Sequence, residues 1–357
     1  MQPPDTPRKG RGAISNPALR YSDTRVETVD DGWDAEADEL PPLPTVVRAD
    51  PARTIIAHNN SPDVGFSQSI NPYRGCEHGC VYCFARPTHA YLDHSPGLDF
   101  ETKLYYKENA AALLVEELAH PRYICKPITL GSNTDPYQPL ERKLGVTRSI
   151  LEVFAETRHP YSIVTKGATI LRDLDLIAEA ARARLVSVFV SITSLDHDIK
   201  RTLEPRTASP EKRFQIVSAL AEAGVPVGVL VAPVIPLVTD PDLEGILERA
   251  HAAGARWAGY VLLRLPLEIR DLFDEWLKAH APLKAEHVMS LMRQMHGGRE
   301  YDSRWGVRQR GNGPYAELLA RRFELACQRL GINEEDRVEL DTTQFRRPSP
   351  GGQLDLL

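Results

Sequence analysis

The sequence predicts an α/β protein, a β/α barrel or an open parallel sheet, followed by a mainly helical C-terminal extension. Three observations carry this. From about Phe66 onward, short apolar runs alternate with amphipathic stretches. Several runs are continuous, as in Val186-Ser-Val-Phe-Val190, which suits parallel strands buried on both faces. After Leu265 the strand-like runs stop and the pattern turns helical and basic.

The first fifty residues carry no apolar period. They hold Pro3, Pro4 and Pro7, a basic run from Arg8 to Arg11, an acidic stretch from Asp30 to Glu39, and Pro41-Pro42-Leu43-Pro44. Residues 1–50 are therefore expected to be poorly structured, with Ala13–Tyr21 read as linker rather than as a docked island. Residues 51–270 form the core. Its strands are placed at Ser67–Asn71, Pro127–Asn133, Tyr161–Lys166, Leu185–Ile192, Val225–Val234 and Trp257–Leu265. Helices fall between them at Asn109–Ala119, Leu144–Thr157, Leu171–Ala183, Pro210–Ala223 and Leu243–Ala253. The helix from Pro210 has Ser209 as N-cap, Glu211 in its first turn and Gly224 as its stop. Residues 271–346 form a helical, Arg-rich extension, and 347–357 a flexible tail.

The 357 residues carry 43 Lys+Arg against 49 Asp+Glu, a net charge of −6, with 42% hydrophobic and 26% charged residues. This balance excludes a collagen-like or wholly disordered chain and supplies a full core. The longest apolar run, Val225 to Val238, is broken by Pro226, Pro233 and Pro236 and is too short to span a bilayer. The N-terminus lacks the apolar stretch of a signal peptide, so the expected location is cytoplasmic, with no membrane partner.

Three of the five cysteines crowd into Cys76-x3-Cys80-x2-Cys83, directly after the first predicted core strand. Three thiolates on one loop can converge on a soft metal centre, because Gly75 and Gly79 let the backbone fold around it. Two chemistries remain open at this point. Zinc needs a fourth ligand, for which His78 or His89 is available. A four-iron cluster held by three thiolates leaves one iron open to an exogenous ligand.

At these residues the sequence resembles the radical S-adenosylmethionine superfamily, in which the same spacing follows the first barrel strand. Tyr82 holds the aromatic position before the third cysteine, which in that family packs near the adenine. The resemblance spans roughly Phe66 to Leu265 and implies a partial (β/α)6 barrel. It implies a 4Fe–4S cluster on Cys76, Cys80 and Cys83 and S-adenosyl-L-methionine as second cofactor. It also implies reductive cleavage to a 5′-deoxyadenosyl radical, hydrogen abstraction from a substrate, and a reductant such as flavodoxin or ferredoxin.

Polar residues follow the other strands too, in Ser132-Asn-Thr134-Asp135, Thr165-Lys166 and Ser191-Ile-Thr193-Ser194. This arrangement is similar to the spore photoproduct lyase family and its DNA-repair-lyase relatives. By that likeness Thr134, Lys166 and Ser191 contact S-adenosylmethionine, with Lys166 on its carboxylate. A buried lysine independently needs a partner anion, which a cofactor carboxylate supplies. The lyase's hydrogen-returning cysteine is replaced by Ser132, a poor hydrogen-atom donor, which points to a different substrate. Tyr137 is a weak surrogate, and Cys125 and Cys327 read as ordinary buried residues.

Two further features keep nucleic acid in view. Arg293, Arg299, Arg304, Arg308 and Arg310 face only Glu300 and Asp302 in their own segment, with Tyr301 and Trp305 interleaved. The terminal Gln353-Leu-Asp-Leu-Leu357 resembles the peptide by which bacterial repair proteins bind the DNA sliding clamp. The expected substrate is damaged or modified DNA. The alternatives are radical modification of RNA or a small molecule, or a zinc-stabilised nucleic-acid-binding module without catalysis.

Overall fold

In chain order the elements of the computed structural model are β1 (Val46–Ala49), β2 (Ile56–His58), β3 (Gln68–Ile70), β4 (Tyr73–Arg74), α1 (Asp99–Thr102), β5 (Lys103–Tyr106) and α2 (Ala110–Ala119). Next come β6 (Ile128–Leu130), α3 (Glu141–Leu144), α4 (Val146–Thr157), β7 (Tyr161–Thr165), α5 (Leu174–Arg182), β8 (Val186–Ser191), α6 (His197–Leu203) and α7 (Pro210–Glu222). The rest are β9 (Val227–Val234), α8 (Leu243–Ala252), β10 (Trp257–Leu262), α9 (Ile269–His280), α10 (Ala285–Met295) and α11 (Pro314–Leu330). The structure describes residues 6–21, 43–335 and 338–349.

All six predicted core strands are present, and they pair in parallel in the order β10-β9-β8-β7-β6-β3. Strand β2 adds antiparallel to β3 at the edge. The sheet curves without closing, which gives the partial (β/α)6 barrel. Burial on both faces holds for β3 and β6, which are buried at every position, while β8 alternates: Val186, Val188 and Val190 are fully buried and Ser187 and Phe189 half-buried. Helix α7 starts as expected, with the Ser209 hydroxyl accepting from the Lys212 N–H at 3.2 Å. It ends before Gly224, whose φ of 75° needs no Cβ.

The free edge of β10 is blunted from the C-terminal side. Asn333 pairs with Ala258 as a strand would, accepting its N–H at 2.9 Å and donating to its carbonyl at 3.1 Å. Arg322 of α11 reaches Glu244 of α8 at 2.7 Å, fastening the extension to the barrel.

The assignment of residues 1–50 to a poorly structured segment needs correction. Residues 11–15 are buried against the barrel, and β1 pairs in parallel with β5. The tail also begins later than residue 347. Arg346 donates its N–H to the Thr157 carbonyl at 2.8 Å, Arg347 reaches the Tyr123 carbonyl at 3.2 Å, and Phe345 packs edge-on to Tyr123. Neither contact set was legible, because both rely on isolated side chains meeting distant backbone. The clamp-like peptide Gln353–Leu357 lies outside the described residues. Among the described residues no helix is long and apolar enough to cross a membrane.

Candidate active site at the cysteine loop

The loop from Gly75 to Ala85 leaves the sheet through β4, beyond the C-terminal end of β3. Gly75 and Gly79 have φ of 75° and 69°, and a Cβ on Gly75 would lie 2.9 Å from the Phe100 carbonyl oxygen. Cys76, Cys80 and Cys83 are free thiols, the first two buried and the third half-buried.

The loop is held from several sides. The Cys76 N–H donates to the Phe100 carbonyl at 2.9 Å, and the Val81 N–H to the Leu203 carbonyl at 3.1 Å. Gln138, fully buried, accepts the Glu77 N–H at 2.8 Å and donates to the Gly75 carbonyl at 3.3 Å. Arg86 uses its whole guanidinium: it binds the carbonyls of Gly79, Cys80, Pro96 and Gly97 at 2.8–3.2 Å and the Glu101 carboxylate at 2.5 Å. A lysine has neither the number nor the geometry of donors for this.

Glu101 also accepts the N–H groups of Gly12 and Ala13 at 3.0 and 2.9 Å, so the N-terminal segment lies across the loop. A Cβ on Gly12 would lie 1.8 Å from the Gly79 carbonyl oxygen. Gly12→Val should therefore cost about 1–3 kcal/mol through overpacking against backbone that cannot yield. Thermal unfolding and iron content after reconstitution check this, and both should fall relative to the unsubstituted chain.

Burial is the largest influence on all three thiols and pushes each pKa above the ordinary thiol value, while Lys166 acts in the opposite sense on Cys80 and Cys83. Such thiols ionise when a metal centre supplies the compensating charge. The donor set and its glycine-hinged loop fit an iron–sulfur cluster. Of the two fourth-ligand candidates for zinc, only His78 has a ring nitrogen paired; both His89 nitrogens lack a hydrogen-bond partner among the described residues. His78 turns its Nδ1 to Asp135 at 3.3 Å, and His89 packs edge-on to Phe100 and against His94. Among the described residues no three His, Cys, Asp or Glu side chains converge as ligands of a single ion.

Beside the cysteines, on the concave face, lies a buried polar group that sequence reasoning missed. Glu204, at the end of α6, accepts from the Tyr82 hydroxyl, from the Thr193 hydroxyl at 2.7 Å and from Arg213 at 2.5 Å. Lys166 stands 3.4 Å from the same carboxylate, donates to the Ala232 carbonyl at 3.0 Å, and lies 5.9 Å above the Tyr82 ring. The expected anion partner of Lys166 was a cofactor carboxylate; the structure supplies Glu204. Burial opposes the Glu204 charge, yet Arg213, Lys166 and the two hydroxyls hold its pKa well below the usual carboxylate range. Asp135 acts on Cys76 and Glu204 on Cys80 as anions, and Lys166 is the cation that opposes them at Cys80 and Cys83.

The other predicted residues divide. Ser191 ends β8 on the concave face, and its carbonyl accepts from Arg213 at 3.0 Å. Thr134 is buried and donates to the Tyr73 carbonyl at 2.9 Å. The Asn71 side-chain amide donates to the Ser132 hydroxyl at 3.1 Å, and its Oδ1 accepts the N–H groups of Asn133 and Thr134. Asn71 thus joins the ends of β3 and β6. Tyr137 does not join the site. Tyr161 and Lys166 project to opposite faces of β7, and Tyr137 is buried on the Tyr161 side, beside Asp173. Asp135 binds the Lys166 N–H and the Thr165 hydroxyl, both at 2.7 Å, and so fixes the turn that presents Lys166.

Comparison with known proteins agrees with this geometry. The sequence model of the radical SAM superfamily matches residues 70–250, and the chain belongs to that superfamily. It is therefore a radical SAM enzyme whose cofactors are a 4Fe–4S cluster and S-adenosylmethionine. An uncharacterized protein of Mycobacterium tuberculosis is 42% identical over 231 residues, covering 64% of this chain and 68% of its own. An uncharacterized protein of Methanocaldococcus jannaschii is 30% identical over 176 residues, covering 49% and 63%. Spore photoproduct lyase complexed with dinucleoside spore photoproduct superposes with a TM-score of 0.57 at 15% identity over 80% of each chain, a likeness of fold.

Proposed function

We propose that Cys76, Cys80 and Cys83 ligate three irons of the cluster, that Tyr82, Thr134, Lys166 and Ser191 line the S-adenosylmethionine site, and that the substrate is nucleic acid carrying a damaged or modified base. The observation that carries the reading is three unpaired cysteines, two buried and one half-buried, on one clamped loop, with Lys166 at the side of Cys80 and Cys83. When bound, the reduced cluster and S-adenosylmethionine supply a carbon-centred radical able to take a hydrogen atom from the substrate. The chain's own residues bind, orient and exclude water. Arg86 and Gln138 fix the loop, Glu204 holds Tyr82 and Lys166 on one carboxylate oxygen, and Asp135 fixes the turn at Lys166.

The nucleic-acid part rests on the arginine-rich segment with Tyr301 and Trp305, and on the clamp-like terminal peptide, which would carry the enzyme to DNA. A flavodoxin- or ferredoxin-type protein would supply the electron. Ser132 is bound to Asn71 where the lyases carry a thiol, so a reaction other than spore photoproduct repair is favoured. The test is anaerobic reconstitution with iron and sulfide, then reductant, S-adenosylmethionine and an assay for 5′-deoxyadenosine, with and without irradiated DNA. The expected result is product in both cases and at least several-fold more with DNA. Equal product with and without every nucleic acid tried would refute the substrate assignment.

A further inference from the structure

The five arginines between residues 293 and 310 are not equivalent. Arg293 pairs with Glu300 at 3.3 Å, Arg308 pairs with Asp63, and Arg310 lies 4.1 Å above the Tyr260 ring. The first pair is internal to the extension, and the other two contacts fasten it to the barrel. Arg299 and Arg304 instead border a pocket of about 380 Å³ that also contains His296, Gly297 and Asp302. The Arg304 guanidinium donates to Asp302 Oδ2 at 2.6 and 2.9 Å and to Oδ1 at 3.1 Å, and this pairing holds the Asp302 pKa down at about 2. Arg299 is exposed and makes no ion pair among the described residues. The pocket therefore keeps one positive charge beyond its own carboxylate.

Its floor is His296, 2% exposed, with neither ring nitrogen hydrogen-bonded among the described residues. A buried polar group left without a partner is costly, so the arrangement calls for a ligand oxygen at this point. A singly charged phosphodiester matches the net charge, and its oxygens can accept from one imidazole N–H and from two guanidinium groups.

What surrounds the pocket narrows the ligand further. The His296 ring stands 6.3 Å from Tyr301, whose hydroxyl accepts from Arg264 at 3.2 Å. The Arg264 guanidinium lies 5.0 Å above Phe84, the residue that follows Cys83. Phe84 is 45% exposed and Trp305, beside Arg304, is 57% exposed. An anion pocket thus adjoins aromatic faces that lead to the cysteine loop. Aromatic faces take unstacked bases, which a closed duplex does not offer.

We infer that His296, Arg299 and Arg304 form a phosphodiester site that grips a single-stranded or locally unpaired nucleic-acid strand, with Phe84 and Trp305 as stacking surfaces that lead the strand toward the cysteine loop. This rests on the nucleic-acid reading of the substrate given above.

The experiment uses the full-length reconstituted protein and a fluorescently labelled single-stranded DNA oligonucleotide, with binding measured by anisotropy across a salt series. Arg299→Gln should weaken binding roughly three- to tenfold near ~0.1 M salt and flatten the log–log salt slope by about 0.7. Trp305→Ala should weaken binding by about tenfold with little change of slope. Formation of 5′-deoxyadenosine without DNA should be the same in both variants as in the unsubstituted chain. Inorganic phosphate and a nucleoside monophosphate serve as competitors. If either binds through Arg299 as tightly as the oligonucleotide, the site is for a small molecule and the inference is overturned. An unchanged salt slope for Arg299→Gln overturns this pocket alone. Unsubstituted protein that makes 5′-deoxyadenosine yet binds no oligonucleotide overturns the nucleic-acid reading, and this site with it.

Discussion

Cys80→Ala should emerge from anaerobic reconstitution colourless and release no 5′-deoxyadenosine. Cys80 is the middle cysteine of the loop, and Arg86 holds its backbone carbonyl at 2.8 Å. The remaining cysteines are poor substitutes. Cys125 lies before β6, and Cys327 is buried in α11 next to the Asn333 side chain at 3.9 Å. Removing the Cys80 sulfur leaves two thiols, both biased toward the neutral form by burial. Visible absorbance, iron content and product formation should all be lost together. Cys327→Ala is the matched control and should retain all three. A Cys80→Ala protein that still cleaves S-adenosylmethionine would show that the ligand assignment is wrong.

Glu204→Gln should be among the most destabilising single substitutions in the barrel. It leaves Arg213, whose side chain is 2% exposed, and Lys166 without their shared carboxylate. Breaking a buried pair on one side costs about 3–5 kcal/mol, because the remaining charge stays buried. Chemical denaturation of the cluster-free protein at neutral pH would read this directly, and a loss below about 1 kcal/mol would contradict the structural role. The same carboxyl sets an acid limb. Its folded pKa is lowered from an unfolded value of 4.5, so its stabilisation is complete above that pH and is withdrawn as pH falls below it. Glu204→Gln should flatten that limb, leaving only the contribution of the other carboxylates.

The six barrel strands and the Cys76–Cys83 loop were legible because each is a local pattern. An apolar run such as Val227–Val231 or a three-cysteine spacing is complete within a few residues. Lys166 and Ser191 were legible as polar residues at strand ends, which is where an α/β barrel presents chemistry. Tyr137 was legible only as a weak surrogate beside an ordinary packing role, because its place three residues after Thr134 does not say which side of β7 its ring occupies; the structure buries it as a packing residue.

Glu204 was not legible. It sits in a loop of ordinary composition, and it matters because α6 ends under the cysteine loop while α7 brings Arg213 back from nine positions later. The docking of residues 11–15 was hidden for a similar reason. Gly12 and Ala13 bind through backbone N–H groups to a glutamate about ninety positions away, and backbone donors carry no residue code. The five arginines could be counted in the sequence but not sorted: Asp63 takes Arg308 and the Tyr260 ring takes Arg310, both from far away in the chain. Fold class, the three-cysteine loop and the superfamily are written in short-range periodicity and spacing. Which charges are spent on one another and which stay available is set by the folded chain. Burial and pairing depend on neighbours in space, and a pair's energy changes several-fold between water and a closed interior.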